Sequence, residues 1–131
     1  MTEIEFHPLD IAACYGTGFT AKAISYGTAS FLAPPRLKIG PSHVAVLCEF
    51  HGSMVWIEST TLCKHPCAIL GYQVDGCQAH LPEDRIRDYI TIGGHVDLYR
   101  LSPIERLSQS ESELLTTILV RHFIGQRVTY D

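Results

Sequence analysis

The stretch Ser42–Thr61, SHVAVLCEFHGSMVWIESTT, decides the fold. Residues 42–50 are apolar and rich in β-branched side chains, and residues 55–61 add Val, Trp, Ile and two Thr. Between them, His51-Gly52-Ser53 supplies a residue that takes φ > 0 without steric cost, which a two-residue hairpin turn requires. The segment predicts two antiparallel strands and a tight turn.

The turn also sets a register. With His51-Gly52 at its centre, Phe50 pairs with Ser53 and Ala45 with Glu58. Side chains alternate faces along a strand, so His43 and Glu58 share one face as diagonal neighbours, with Cβ atoms roughly 7 Å apart. Cys48 has the opposite parity and faces away. A carboxylate on one imidazole nitrogen fixes the ring's tautomer and leaves the other nitrogen as a base, most often for a Cys or Ser nucleophile. The alternative is a half-exposed His and a solvated Glu at two strand ends.

Working outward, 131 residues suffice for one domain with a modest core. Apolar content of 46% against 18% charged excludes a disordered chain. A net charge of −4 with no Lys/Arg cluster argues against nucleic acid or an anionic membrane as partner. No apolar run approaches the ~20 residues of a membrane span, and MTEIEFHPLD lacks a signal-peptide profile. The five cysteines, at 14, 48, 63, 67 and 77, are then expected as mostly free thiols in a reducing compartment, cytoplasmic or virion-associated.

Upstream, 9–15 reads as a short strand ending at Gly16-Thr17-Gly18, which lacks the spacing and the Lys-Ser/Thr of a phosphate loop. Residues 19–26 suit two helical turns closed by Gly27, and 30–41, with Pro34-Pro35 and Gly40-Pro41, read as a loop. That loop, with Pro34, Pro35 and Ser42, leads into His43 and is the expected place for substrate contacts.

Downstream, Cys63, Cys67, Cys77 and His80 are the ligand types of a structural zinc. Three residues separate Cys63 from Cys67, Pro66 among them, which is poor knuckle spacing, and three thiols in loops and strands are the plainer reading. Residues 81–89 predict a short helix with Pro82 at its first position and Glu83-Asp84 at the positive end of its dipole. After Gly93-Gly94, residues 95–101 alternate as a strand, with Val96, Leu98 and Arg100 on one face. Residues 110–123 predict an amphipathic helix capped by Ser110 with Glu113, buried along Leu114, Leu115, Ile118, Leu119 and His122, and closed by Gly125.

Taken in order, these segments resemble the circularly permuted NlpC-type papain-like cysteine hydrolases of the YiiX-like group. Asp10-Ile11 is similar to the opening "GD-apolar" strand, and Ile24, Ser25 and Thr28 to the segment before the loop. Ser42-His43-Val44-Ala45-Val46 is similar to the "SHVGI" strand and Ile57-Glu58-Ser59 to the "v-E-A/S" strand. Residues 96–101 are similar to the "v-l-y-R" strand, and Gly125 with Tyr130-Asp131 to the "G-x-x-YD" after the helix. The likeness spans nearly the whole chain from residue 9.

The resemblance implies an α+β papain-like domain over 1–131: a small, mostly antiparallel sheet or half-barrel with packed helices. It implies a thiol-dependent hydrolase or acyltransferase of amide or ester bonds, acting on a peptide-like or acyl substrate without a cofactor. His43 is then the general base and Glu58 its orienting group. The nucleophile is a Cys at a helix N-terminus, where the dipole favours the thiolate. In the family that Cys follows the "YD" segment, and this sequence stops at Asp131. The expectation is therefore a domain incomplete at its C-terminus, a natural short form that binds without cleaving, or a substitute thiol, Cys14 first among the five. An absent segment would leave an apolar face uncovered, so self-association, or association with that segment, is also expected.

Overall fold

The computed structural model describes residues 4–16, 41–61, 63–100 and 107–124. Expectations for the 19–26 helix, Gly27, the Pro34-Pro35 loop, Gly125 and Tyr130-Asp131 lie outside them. The described residues form an α+β arrangement of five strands and two helices: β1 (Ile11–Tyr15), β2 (His43–Phe50), β3 (Ser53–Thr60), β4 (Gly76–His80), α1 (Pro82–Thr91), β5 (His95–Tyr99) and α2 (Gln109–His122). The sheet is antiparallel throughout, in the order β4-β3-β2-β1-β5.

The β2–β3 hairpin has the register its turn predicts, with Phe50 opposite Ser53 and Val46 opposite Ile57. Both turn residues have positive φ, +50° at His51 and +79° at Gly52, the combination whose twist matches flanking strands. Parity then sorts the sheet into two faces. One carries Ala12, Cys14, Ala45, Leu47 and Trp56, closed by Ile86 and Tyr89 of α1. The other carries Cys48, Val55, Ile57, Cys77 and Ala79, closed by Leu119 and Val120 of α2 and by Cys67 of the β3–β4 connection. Trp56 and Leu47 are fully buried, and burial of such side chains contributes about 1.5–3 kcal/mol each.

Polar clamps fix the sheet's far corner. Asp10, fully buried, accepts from both Nε and Nη2 of Arg100 at 3.1 Å, joining the start of β1 to the end of β5. Its Oδ2 also accepts the His7 N–H at 2.9 Å. Gly94 seats the α1–β5 connection on β1: its N–H donates to the Tyr89 carbonyl, and a Cβ there would collide with the Tyr15 carbonyl oxygen.

β4 contains Cys77 and His80, two of the four zinc-type residues, and is buried along its whole length. Two expectations are corrected. α2 is capped by Ser108, not Ser110. The Ser108 Oγ accepts from the Glu111 N–H (3.1 Å), and the Ser108 N–H donates to Glu111 (3.0 Å). The S-x-x-E pattern occurs twice, two residues apart, and the earlier copy wins. The buried stripe differs as well: Leu114, Leu115, Ile118 and His122 are exposed, while Thr116 is buried with Leu119 and Val120 beside it, because that is the face α2 packs on the sheet. Thr116 tolerates burial because its hydroxyl donates to the Ser112 carbonyl within the helix.

Candidate functional site

Three neighbouring strands place a row of side chains on the α1 face of the sheet. Cys14 of β1 is directly opposite His43 of β2, and Glu58 of β3 is His43's diagonal neighbour. His43 Nε2 lies 2.8 Å from Glu58 Oε1. The Glu58 side chain is wholly buried and that of His43 nearly so.

A buried carboxylate needs a counter-charge. Arg85 provides it from the first turn of α1, where its guanidinium meets Glu58 side-on: Nε to Oε2 at 2.6 Å and Nη2 to Oε1 at 2.8 Å. Burial alone would push the Glu58 carboxyl up. Hydrogen bonds from His43 and Arg85 outweigh it and hold the group below the usual carboxylate range. Arg85 loses some basicity to burial but gains more from Glu58 and is held firmly protonated. An ionised Glu58 can only accept, so His43 carries its proton on Nε2 and its Nδ1 lone pair is the basic one.

The network continues past Arg85. Its Nη1 donates to Asp88 Oδ2 at 2.9 Å, and the same oxygen takes His65 Nε2 at 2.8 Å. His43 and His65 thus each rest on a carboxylate, and one guanidinium joins the two. Beside them, Gln78 gives its amide N–H groups to the carbonyls of Thr60, Val74 and Gly76. Its oxygen is left to accept from His80 Nε2 at 2.7 Å. Burial lowers the His80 pKa and keeps that ring neutral.

Sequence reasoning paired His43 with Glu58 and missed Arg85, Asp88 and His65. A signal existed. Glu58, Gln78 and His80 all point inward, and Arg85 adjoins the inward residues Ile86 and Tyr89 on α1. An inward acid facing a helix with an inward Arg is a pair in waiting.

The thiols are unpaired and differ sharply. Cys14 shares the His43 face, but it is fully buried, with the Tyr89 hydroxyl beside its sulfur. Burial, with the Glu58 charge second, pushes its pKa up to about 12. Cys48 is buried on the opposite face. Cys67 and Cys77 lie in that same opposite-face cluster, whereas His80, three residues along β4 from Cys77, faces α1. Strand parity therefore separates the candidate zinc ligands. Among the described residues, no three His, Cys, Asp or Glu side chains converge as a metal needs. Ser42, expected among substrate contacts, is buried and uses its hydroxyl on β1, donating to the Cys14 carbonyl and accepting from the Gly16 N–H, both at 3.2 Å.

Among the described residues, two cavities beside the sheet bear on the site. One of about 370 Å³ is lined by His43 and Glu58 together with the apolar Val44, Val46, Ile57, Leu119 and Phe123. The larger, about 560 Å³, lies between the hairpin turn and the start of α2, and neither His43 nor Glu58 lines it. No described helix is long and apolar enough to cross a membrane. Compared with known proteins, the chain matches no family model, no curated protein and no solved structure.

Proposed function

We propose that this chain is a thiol-dependent hydrolase or acyltransferase of amide or ester bonds, built on the permuted NlpC-type papain-like plan, with a peptide-like or acyl substrate. The observation that carries the reading is the 2.8 Å bond between His43 Nε2 and a Glu58 carboxylate clamped side-on by Arg85. An imidazole held in one tautomer by a locked carboxylate is a general base set for use. His43 Nδ1 takes the proton of a thiol, the thiolate attacks the substrate carbonyl, and the imidazolium returns the proton to the leaving group. Water then hydrolyses the acyl-enzyme, or an amine or alcohol takes the acyl group.

Cys14 is the thiol nearest to His43 in strand register, but its burial and raised pKa oppose attack from this conformation. The enzyme reading therefore does not take Cys14 as its nucleophile in this conformation. The same burial favours a second reading, a binding module of the same fold that keeps the base site without catalysis. A panel of peptide amides and p-nitrophenyl esters, run on the full-length product of the native gene, separates the two. The enzyme reading predicts thiol-dependent turnover that falls by about 10²–10⁴ in His43→Ala. Turnover unaffected by His43→Ala, or no turnover of any substrate, rejects it.

A further inference from the structure

We propose that Asp88 is a positioning residue for His43: it pins the Arg85 guanidinium side-on to Glu58 and so keeps one Glu58 oxygen free to hold the His43 ring. The proposal deepens the reading of His43 as a general base and rests on that reading for any part in catalysis.

The contacts form an unbroken chain. Arg85 Nη1 donates to Asp88 Oδ2 at 2.9 Å, while Arg85 Nε and Nη2 donate to the two Glu58 oxygens at 2.6 and 2.8 Å. All three guanidinium nitrogens are thereby committed to carboxylates. Glu58 Oε1 also takes His43 Nε2 at 2.8 Å. Asp88 stands one helical turn after Arg85 on α1, so the helix itself sets where the pin meets the guanidinium. From the other side, His65 Nε2 of the β3–β4 connection lies 2.8 Å from the same Asp88 oxygen, with Lys64 Nζ 3.7 Å from Oδ1. Burial would raise the Asp88 carboxyl, but the Arg85 and His65 bonds outweigh it and keep the group ionised. The Tyr89 ring, 5.6 Å from the guanidinium carbon, covers one of its faces.

Glu58 Oε1 serves two donors, Arg85 Nη2 and His43 Nε2, one for each lone pair. An arginine offers a carboxylate two edges, Nε with one Nη, or both Nη together. Asp88 occupies Nη1 and leaves Glu58 the Nε edge. Without Asp88, Nη1 loses its acceptor in a largely buried position, and Glu58 is the remaining carboxylate that Arg85 touches. A guanidinium turned to present both Nη atoms competes with His43 for Oε1 and loosens the ring.

The test follows the His43 Nε2–H of the ¹⁵N-labelled full chain by its rate of exchange with water, at a pH where the ring is neutral. In Asp88→Ala the rate rises about tenfold or more, because loss of a charge-assisted bond lets the ring leave Glu58 more often. Asp88→Asn, which keeps an acceptor for Arg85 but not the charge, gives a smaller rise and carries the test if Asp88→Ala does not fold. Ser108→Ala removes the cap of α2 on the opposite face of the sheet and leaves the rate unchanged, so a general loss of stability is told from loss of the pin. Thermal unfolding verifies that each variant folds. A wild-type rate in the folded Asp88 variant, or the same rise in Ser108→Ala, overturns the proposal. Exchange needs no substrate, so absent turnover, which rejects the hydrolase reading, and unchanged exchange, which rejects this role, are separate results.

Discussion

Replacing Arg85 with Met strands a buried carboxylate. Glu58 has no exposed side-chain surface and loses two of its three hydrogen bonds, at 2.6 and 2.8 Å, keeping only that of His43. Hydrogen bonds to charged groups contribute about 1.5–3 kcal/mol each, and removing one partner of a buried pair costs about 3–5 kcal/mol. The two figures agree on a loss near 4 kcal/mol, a large part of the ~5–15 kcal/mol that holds such a domain together. Urea unfolding measures it, and a cycle with Glu58→Gln isolates the coupling, expected at about 2–3 kcal/mol. The pH dependence must also change sign. In the wild type the folded Glu58 pKa is depressed, so its stabilisation is full above the unfolded value and is lost as pH falls through the folded one. Without Arg85, burial dominates and the folded pKa rises above the unfolded value, so stability from Glu58 is lost as pH rises between the two. A loss below about 1 kcal/mol, or an unchanged pH slope in the Glu58 window, refutes the reasoning.

Other outcomes follow from single contacts. The His80 pKa is depressed by burial, so its unfolded form takes up a proton first as pH falls below about 6.5. The wild type should lose up to about 1.4 kcal/mol more per pH unit than His80→Gln between pH 6.5 and the folded pKa, by urea unfolding across a pH series. Gly94→Ala forces a methyl onto the Tyr15 carbonyl, backbone against backbone, and should cost about 2 kcal/mol or more by thermal unfolding. Ser108→Ala should cost about 1 kcal/mol, whereas Ser110→Ala stays within about 0.5 kcal/mol, a comparison that checks which serine caps α2.

What was legible in the sequence was local. The His51-Gly52 turn fixed a register, and the register placed His43 and Glu58 on one face without any tertiary information. The inward Val96 and Leu98 of β5 followed from alternation in the same way. What was illegible depended on distance or on degeneracy. Arg85 is 27 residues from Glu58, and Arg100 is 90 from Asp10; no local pattern links either pair. β4 (GCQAH) alternates weakly and is buried on both faces, so polarity did not mark it as a strand. The cap of α2 slipped because two serines satisfy one motif, and the predicted stripe missed because the face that packs on the sheet, with Thr116, Leu119 and Val120, is set by tertiary contact. The zinc-type residues were set aside on their spacing alone; strand parity, which sends Cys77 and His80 to opposite faces, needed the register of β4.

The central claim is that Glu58 holds the His43 ring by Nε2 and so leaves Nδ1 as the nitrogen free for base chemistry. Long-range ¹⁵N–¹H correlation of the imidazole nitrogens near pH 7.5 tests it most directly. The account predicts a protonated, pyrrole-type Nε2 and an unprotonated, pyridine-type Nδ1 for His43, with this pattern lost in Glu58→Gln. A neutral ring with its proton on Nδ1, or a tautomer indifferent to Glu58→Gln, would contradict it.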